Sequence, residues 1–112
     1  MKTATTKAKS PFPKAVYQRN AHLYKILANP KRLEILNILK HHEVSVDELT
    51  RILGVSKANM SQHLALLRYA RVVRVRKSGL NVYYTIANPR IVEPCRILKD
   101  LWSGPAPVAS PL

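Results

Sequence analysis

Acidic residues are scarce in this sequence of 112 residues: six Asp and Glu stand against nineteen Lys and Arg, for a net charge of +13. The shortage is also local, since residues 1–33 and residues 49–92 each hold eight basic residues and no acid. A fold with large surfaces of one sign repels itself unless it meets a polyanion. The charge therefore leaves nucleic acid and an anionic membrane as candidate partners. A membrane-surface role would need a basic amphipathic helix, whereas the basic residues here are spread along the chain.

Glycine and cysteine are also rare. The three glycines form no phosphate-binding loop, and no paired carboxylates or Ser/His/Asp spacing indicate catalysis, so we predict that the chain is not an enzyme. The single cysteine, Cys95, excludes an internal disulfide and fits a reducing compartment. No apolar run reaches about 18 residues, and the N-terminus lacks a signal-peptide core. We therefore expect no membrane span and a cytoplasmic location.

The chain is predicted to be one domain between two tails. Residues 1–14 are basic, lack apolar periodicity and end in two closely spaced prolines, which is typical of a disordered arm. Residues 103–112 are rich in Gly, Pro and Ser, which is typical of a flexible tail. The folded domain is expected to span residues 15–102.

Four helix starts carry capping signals. They are Asn29-Pro30, the capping box Ser45-Val-Asp-Glu48, Ser56 and Asn88-Pro89. Gly54 can end the helix before Ser56 in the left-handed conformation. A fifth helix, the first in the chain, is predicted from about Ala15 to Leu27 by its apolar stripe.

The period of the pattern changes after the fourth helix. Strand-forming residues between Val72 and Ile86 flank the loop Lys77–Asn81, in which Gly79 can take a positive φ. Within the last helix, Pro94 either kinks the helix or moves its start to about Glu93. The expected fold is therefore mainly α with a small β-hairpin, about five helices plus two strands.

Two helices joined by a glycine turn and followed by a hairpin form a winged helix-turn-helix. Met60, Leu64 and Leu67 should face the core, which leaves the other side of this second helix exposed. The amides of Asn59 and Gln62 can pair with adenine, and the N–H groups at the helix start favour a phosphate. From this helix we predict the following DNA contacts: Ser56, Lys57, Ala58, Asn59, Ser61, Gln62, His63 and Arg68.

The hairpin adds three cations, Arg74, Arg76 and Lys77, near one end. Such a wing can lie across a phosphate backbone or place an arginine in the minor groove. Aromatic platforms for single-stranded RNA are scarce, so specific double-stranded DNA is the favoured partner. A sequence-tolerant, nucleoid-type DNA-binding protein stays open as the alternative.

Three segments, "LANPKRLEIL", "LGVSKANMSQHLALLR" and a hairpin ending in "VYY", resemble the ArsR/SmtB family of bacterial winged-helix repressors. The resemblance covers about residues 15–102. It implies a homodimer built on the first and last helices, and repression that an inducer relieves. A two-fold dimer would bind an inverted-repeat operator with half-sites about one helical turn apart.

The sensing motifs of that family are absent. One family metal site uses cysteines where this chain has Ser45 and Asp47. The other uses Asp, His, His and Glu at positions that here hold Asn88, Arg90, Leu101 and, roughly, Gly104. These side chains do not form a zinc site, so we expect no metal and no cofactor, and the inducer stays unnamed.

Cys95 is the remaining sensor candidate. It lies on the apolar stripe of the last helix, which favours a small buried hydrophobe. Alternatively, the thiol is a redox sensor that oxidises or joins its symmetry mate across the dimer.

Overall fold

The structure, a computed structural model, describes residues 7–102, and this part contains five α-helices, three strands and a short 3-10 helix. In chain order they are α1 (Lys14–Leu27), α2 (Pro30–Leu39), β1 (Val44–Ser45), α3 (Val46–Leu53), α4 (Lys57–Tyr69), β2 (Val73–Ser78), β3 (Asn81–Ile86), the 3-10 helix (Pro89–Val92) and α5 (Glu93–Leu101). The predicted mainly α fold with a hairpin is confirmed. The predicted tail, 103–112, and the first six residues of the predicted arm lie outside the described residues.

The helix starts lie where the capping signals predict them. Asn29, Ser45, Ser56 and Asn88 each accept a backbone N–H from two or three residues ahead, at 3.0 to 3.1 Å. In a complete capping box the Glu48 carboxylate would also accept from the backbone N–H of Ser45. Here that carboxylate pairs instead with Arg51 at 2.6 Å. These local bonds set where each helix begins without help from distant residues.

The last helix resolves the two alternatives for Pro94. The Asn88 signal opens the short 3-10 helix, and α5 then begins at Glu93 with Pro94 in its first turn. A proline costs nothing there, since its missing N–H would have no partner inside the helix. The start at Glu93 is therefore the correct alternative.

The sheet differs from the prediction in two ways. It has a third strand, because Val44 and Ser45 of β1 pair antiparallel with β3, giving the order β1-β3-β2. The turn is also shorter than predicted, because pairing continues to Ser78 and Asn81 and leaves only Gly79 and Leu80 between the strands. Gly79 takes φ 61°, which suits the first position of a two-residue hairpin turn.

The core lies between α2, α3, α4 and the sheet. Its buried residues are Ile35, Leu36, Leu39, Leu49, Leu53, Met60, Leu64, Leu67, Val72, Val73, Tyr84, Ile86 and Val92. Neither α1 nor α5 contributes a buried residue. Within residues 7–102, no helix is long and apolar enough to cross a bilayer.

Candidate nucleic-acid interface

The orientation of α4 is set by its apolar underside. Met60, Leu64 and Leu67 are at most 2% exposed and belong to the core. Gly54 ends α3 in the left-handed conformation with φ 65°, two residues before Ser56, the cap of α4. A Cβ there would meet nothing within 4 Å, so glycine is favoured by the backbone angle rather than by space.

The outward side of α4 carries most of the predicted contact residues. Ser56, Lys57, Ala58, Asn59, Ser61, Gln62 and Arg68 are all exposed. No acid occurs in this helix, and the free N–H groups of its first turn add partial positive charge. The exposed side is therefore neutral to cationic, which suits an approach to phosphates and base edges.

A cleft of about 380 Å³ separates α4 from the hairpin β2–β3, which we call the wing. Ser61 and Arg68 of α4 and Lys77 of the wing line this cleft, so the fold brings three predicted residues together. Asn81 and Asp47 line it too and were not predicted. Asn81 could have been found only from the strand register, which places it beside the two-residue turn.

The two faces of the wing are unlike. Lys77 lies on the cleft side, whereas the alternation of strand residues puts Arg74 and Arg76 on the opposite face. Arg76 donates to both carboxylate oxygens of Glu43 at 2.8 and 2.9 Å, and its guanidinium lies 4.7 Å from the ring centroid of Tyr83. The hydrogen bond from Arg76 also holds the pKa of Glu43 below its usual value. The charge of Arg76 is thus already matched inside the chain.

His63 is the one predicted contact on α4 that is half-buried. Its Nδ1 lies 3.2 Å from Nη1 of Arg32 in α2. Burial lowers the pKa of His63, and the positive charges of Arg32 and Lys31 lower it further. This ring nitrogen is therefore engaged inside the protein rather than offered to a phosphate.

Cys95 lies half-buried where α5 meets α2. The Asn37 side-chain amide donates to its Sγ at 3.5 Å. Among residues 7–102, no group of three or more His, Cys, Asp or Glu side chains could hold a metal ion. A redox role for Cys95 stays a prediction. Because the chain has no second cysteine, only the thiol of a partner could complete a disulfide.

Residues 29–75 match the family model of the bacterial regulatory proteins of the arsR family. The transcriptional repressor PagR of Bacillus anthracis is 35% identical over 83 residues, which span 73% of this chain and 83% of PagR. The transcriptional activator HlyU of Vibrio cholerae is 39% identical over 80 residues, which span 71% of this chain and 74% of HlyU.

Solved structures agree with the sequence relatives. The homodimeric winged helix-turn-helix DNA-binding domain of Mb0332 from Mycobacterium bovis superposes with a TM-score of 0.72 at 26% identity. The match covers 91% of this chain and 99% of that domain.

Proposed function

This chain belongs to the ArsR family of bacterial regulatory proteins, and we propose that, as a DNA-binding transcriptional regulator of that family, it represses genes from inverted-repeat operators. The observation that carries the proposal is the exposed, acid-free side of α4 set opposite a buried apolar underside. A helix of this kind can enter the major groove without repelling the phosphates on either side.

Base reading is assigned to the exposed amides of α4. Gln62 and Asn59 each offer a donor and an acceptor, which can pair with the N6 and N7 edge of adenine. The small side chain of Ala58 lets the helix backbone approach the base pairs closely. Discrimination therefore depends on two amides, while the cations around them position the helix without reading sequence.

Phosphate binding is assigned to both sides of the cleft. Arg68 of α4 and Lys77 of the wing line it together, so a sugar-phosphate backbone lying between α4 and the wing would meet both. Ser56 and Lys57 supply a second phosphate site at the start of α4, where unpaired N–H groups point outward. Arg74 and Arg76 lie on the far face of the wing and take a smaller part.

Dimer formation is assigned to α1 and α5. Most of the large apolar side chains that stay exposed lie on these two helices or at their ends: Phe12, Tyr17, Tyr24, Ile97, Leu98, Leu101 and Trp102. A helix with apolar residues and no buried one has a face that needs a partner. A second copy, paired two-fold, would bury both faces and present two α4 helices to one side of the DNA.

The regulatory signal stays a proposal without a named ligand. We propose that an inducer binds this protein and lowers its affinity for the operator, which relieves repression. Oxidation of Cys95 is the second candidate for that signal, favoured by the position of this half-buried thiol where α5, a helix assigned to the dimer surface, meets α2.

Selection of bound fragments from the source organism's genomic DNA tests the proposal most broadly. We expect a small set of fragments that share an inverted repeat, with half-sites about 34 Å apart. Recovery of all genomic segments in proportion to their abundance would instead support a sequence-tolerant nucleoid protein.

Replacing Lys77 with alanine is expected to weaken binding to every duplex alike. Removing one phosphate contact should reduce the slope of log affinity against log salt by about 0.9. Arg76→Ala is the matched control, because it removes a wing cation that is already paired with Glu43. Titrations of operator and random duplexes at several salt concentrations measure both slopes, and an equal effect of the two variants would contradict the assignment of faces.

A further inference from the structure

A single arginine side chain joins three helices. Arg32 lies in α2, and its Nε donates to the backbone carbonyl of Ile26 in the last turn of α1. Its Nη1 lies 3.2 Å from Nδ1 of His63 in α4. All three groups are partly buried, so water competes less for these bonds than it would at the surface. The end of α1 is thereby connected to the middle of α4.

The bond to His63 fixes the protonation state of its ring. A guanidinium has only donors, so Nδ1 must accept, and the imidazole is neutral with its proton on Nε2. The charged groups that face His63 are Arg32 and Lys31, both from α2. The Nζ of Lys31 lies 3.5 Å from the Leu53 carbonyl at the end of α3, and the Ile26 carbonyl of α1 accepts from Arg32. Protonating His63 would place a third cation here and turn its acceptor into a donor.

The bonds of Arg32 join two helices that have different roles. Under the proposed function, on which this inference rests, α1 belongs to the dimer surface and α4 reads DNA. A tilt of α4 relative to α1 changes the separation of the two reading helices in a dimer. We propose that Arg32 is a positioning residue for DNA binding, and that it holds α4 in the binding orientation only while His63 is neutral.

Acidic pH should therefore weaken operator binding through His63. Between pH 7.5 and pH 5.0 we expect the native chain to lose about two- to tenfold more affinity for the operator than His63→Asn loses. This range corresponds to the net contribution of one hydrogen bond. The Oδ1 of asparagine is bonded to Cγ, as Nδ1 is in histidine, so the acceptor is retained and cannot be protonated. His63→Gln, which is also neutral over this range, serves as a second variant.

Fluorescence anisotropy with a labelled duplex recovered in the genomic selection gives the affinity of each protein at pH 7.5 and at pH 5.0. The ratio of these two affinities is then compared between the native chain and the variants. His41→Asn removes an exposed histidine and should keep the ratio of the native chain. Equal ratios for the native chain and both His63 variants would overturn the proposal.

Urea unfolding tests the same contact without DNA. Because the pKa of His63 is lowered in the folded chain, the unfolded chain binds more protons. The free energy of unfolding should therefore fall as the pH falls below about 6.5, and should fall less in His63→Asn. If the selection recovers no preferred duplex, the proposed function fails while this measurement still tests the contact. An identical pH dependence of unfolding in the native chain and His63→Asn would overturn the contact itself.

Discussion

Replacing Leu98 and Leu101 with glutamate is expected to convert a dimer into monomers and to weaken operator binding by about 10²–10⁴-fold. The two side chains are 52% and 66% exposed, and they lie on a helix that buries no residue within its own chain. Four carboxylates would meet across a two-fold interface, where burying unpaired charge is costly. The large loss of affinity follows because each α4 then binds its half-site without the second one held nearby.

The matched control for that variant is Lys99→Glu. It changes the net charge by the same amount, on the same helix, at an exposed position outside the apolar stripe. Sedimentation gives the mass of each protein, and circular dichroism shows whether the fold is kept. A double variant that still sediments as a dimer and binds the operator as the native chain does would contradict the assignment of α5 to the interface.

Helix starts are the part of the fold that the sequence predicts best. Asn29, Ser45, Ser56 and Asn88 each use a side chain to bond a backbone group two or three residues away, so the whole interaction lies within one short segment. The same locality explains why Gly54 marks the end of α3. The apolar underside of α4 was equally predictable, because its spacing is a property of the helix alone.

The third strand and the pairing of Arg76 were missed because each depends on residues far apart in the chain. Strand β1 has only two residues and is held by its pairing to β3 about forty positions later, so no local propensity reveals it. The pairing of Arg76 with Glu43 joins positions 33 apart. Of the three wing cations, Arg76 is matched with an acid and Lys77 faces the cleft, a distinction that the sequence pattern does not contain.

His63 shows the same limit for the candidate site. Helical spacing places it beside the buried stripe, but only the fold brings Arg32 to its ring, from 31 positions away. The fold makes its Nδ1 an internal partner of Arg32, while a DNA contact by His63 stays a prediction. The exposure of Gln62 and Asn59 was predictable from the sequence, because it follows from the helical period.

Replacing Gln62 with alanine is expected to have the second large effect on DNA binding. Loss of a two-point contact to a base edge should cost about 1–3 kcal/mol on the operator and remove discrimination at one base pair of each half-site. Binding to a random duplex should change little, because phosphate contacts do not involve this amide. Gln62 is exposed, so the substitution leaves the core of the domain in place.

The most direct test of DNA reading by α4 compares the binding of native and Gln62→Ala chains to three kinds of duplex: the selected operator, its single-base variants and a random sequence. We expect the variant to lose affinity for the operator but not for the random duplex, and to bind equally well whichever base stands at one position of each half-site. Equal weakening on the operator and the random duplex, with base preferences unchanged, would contradict the claim that the exposed side of α4 reads DNA.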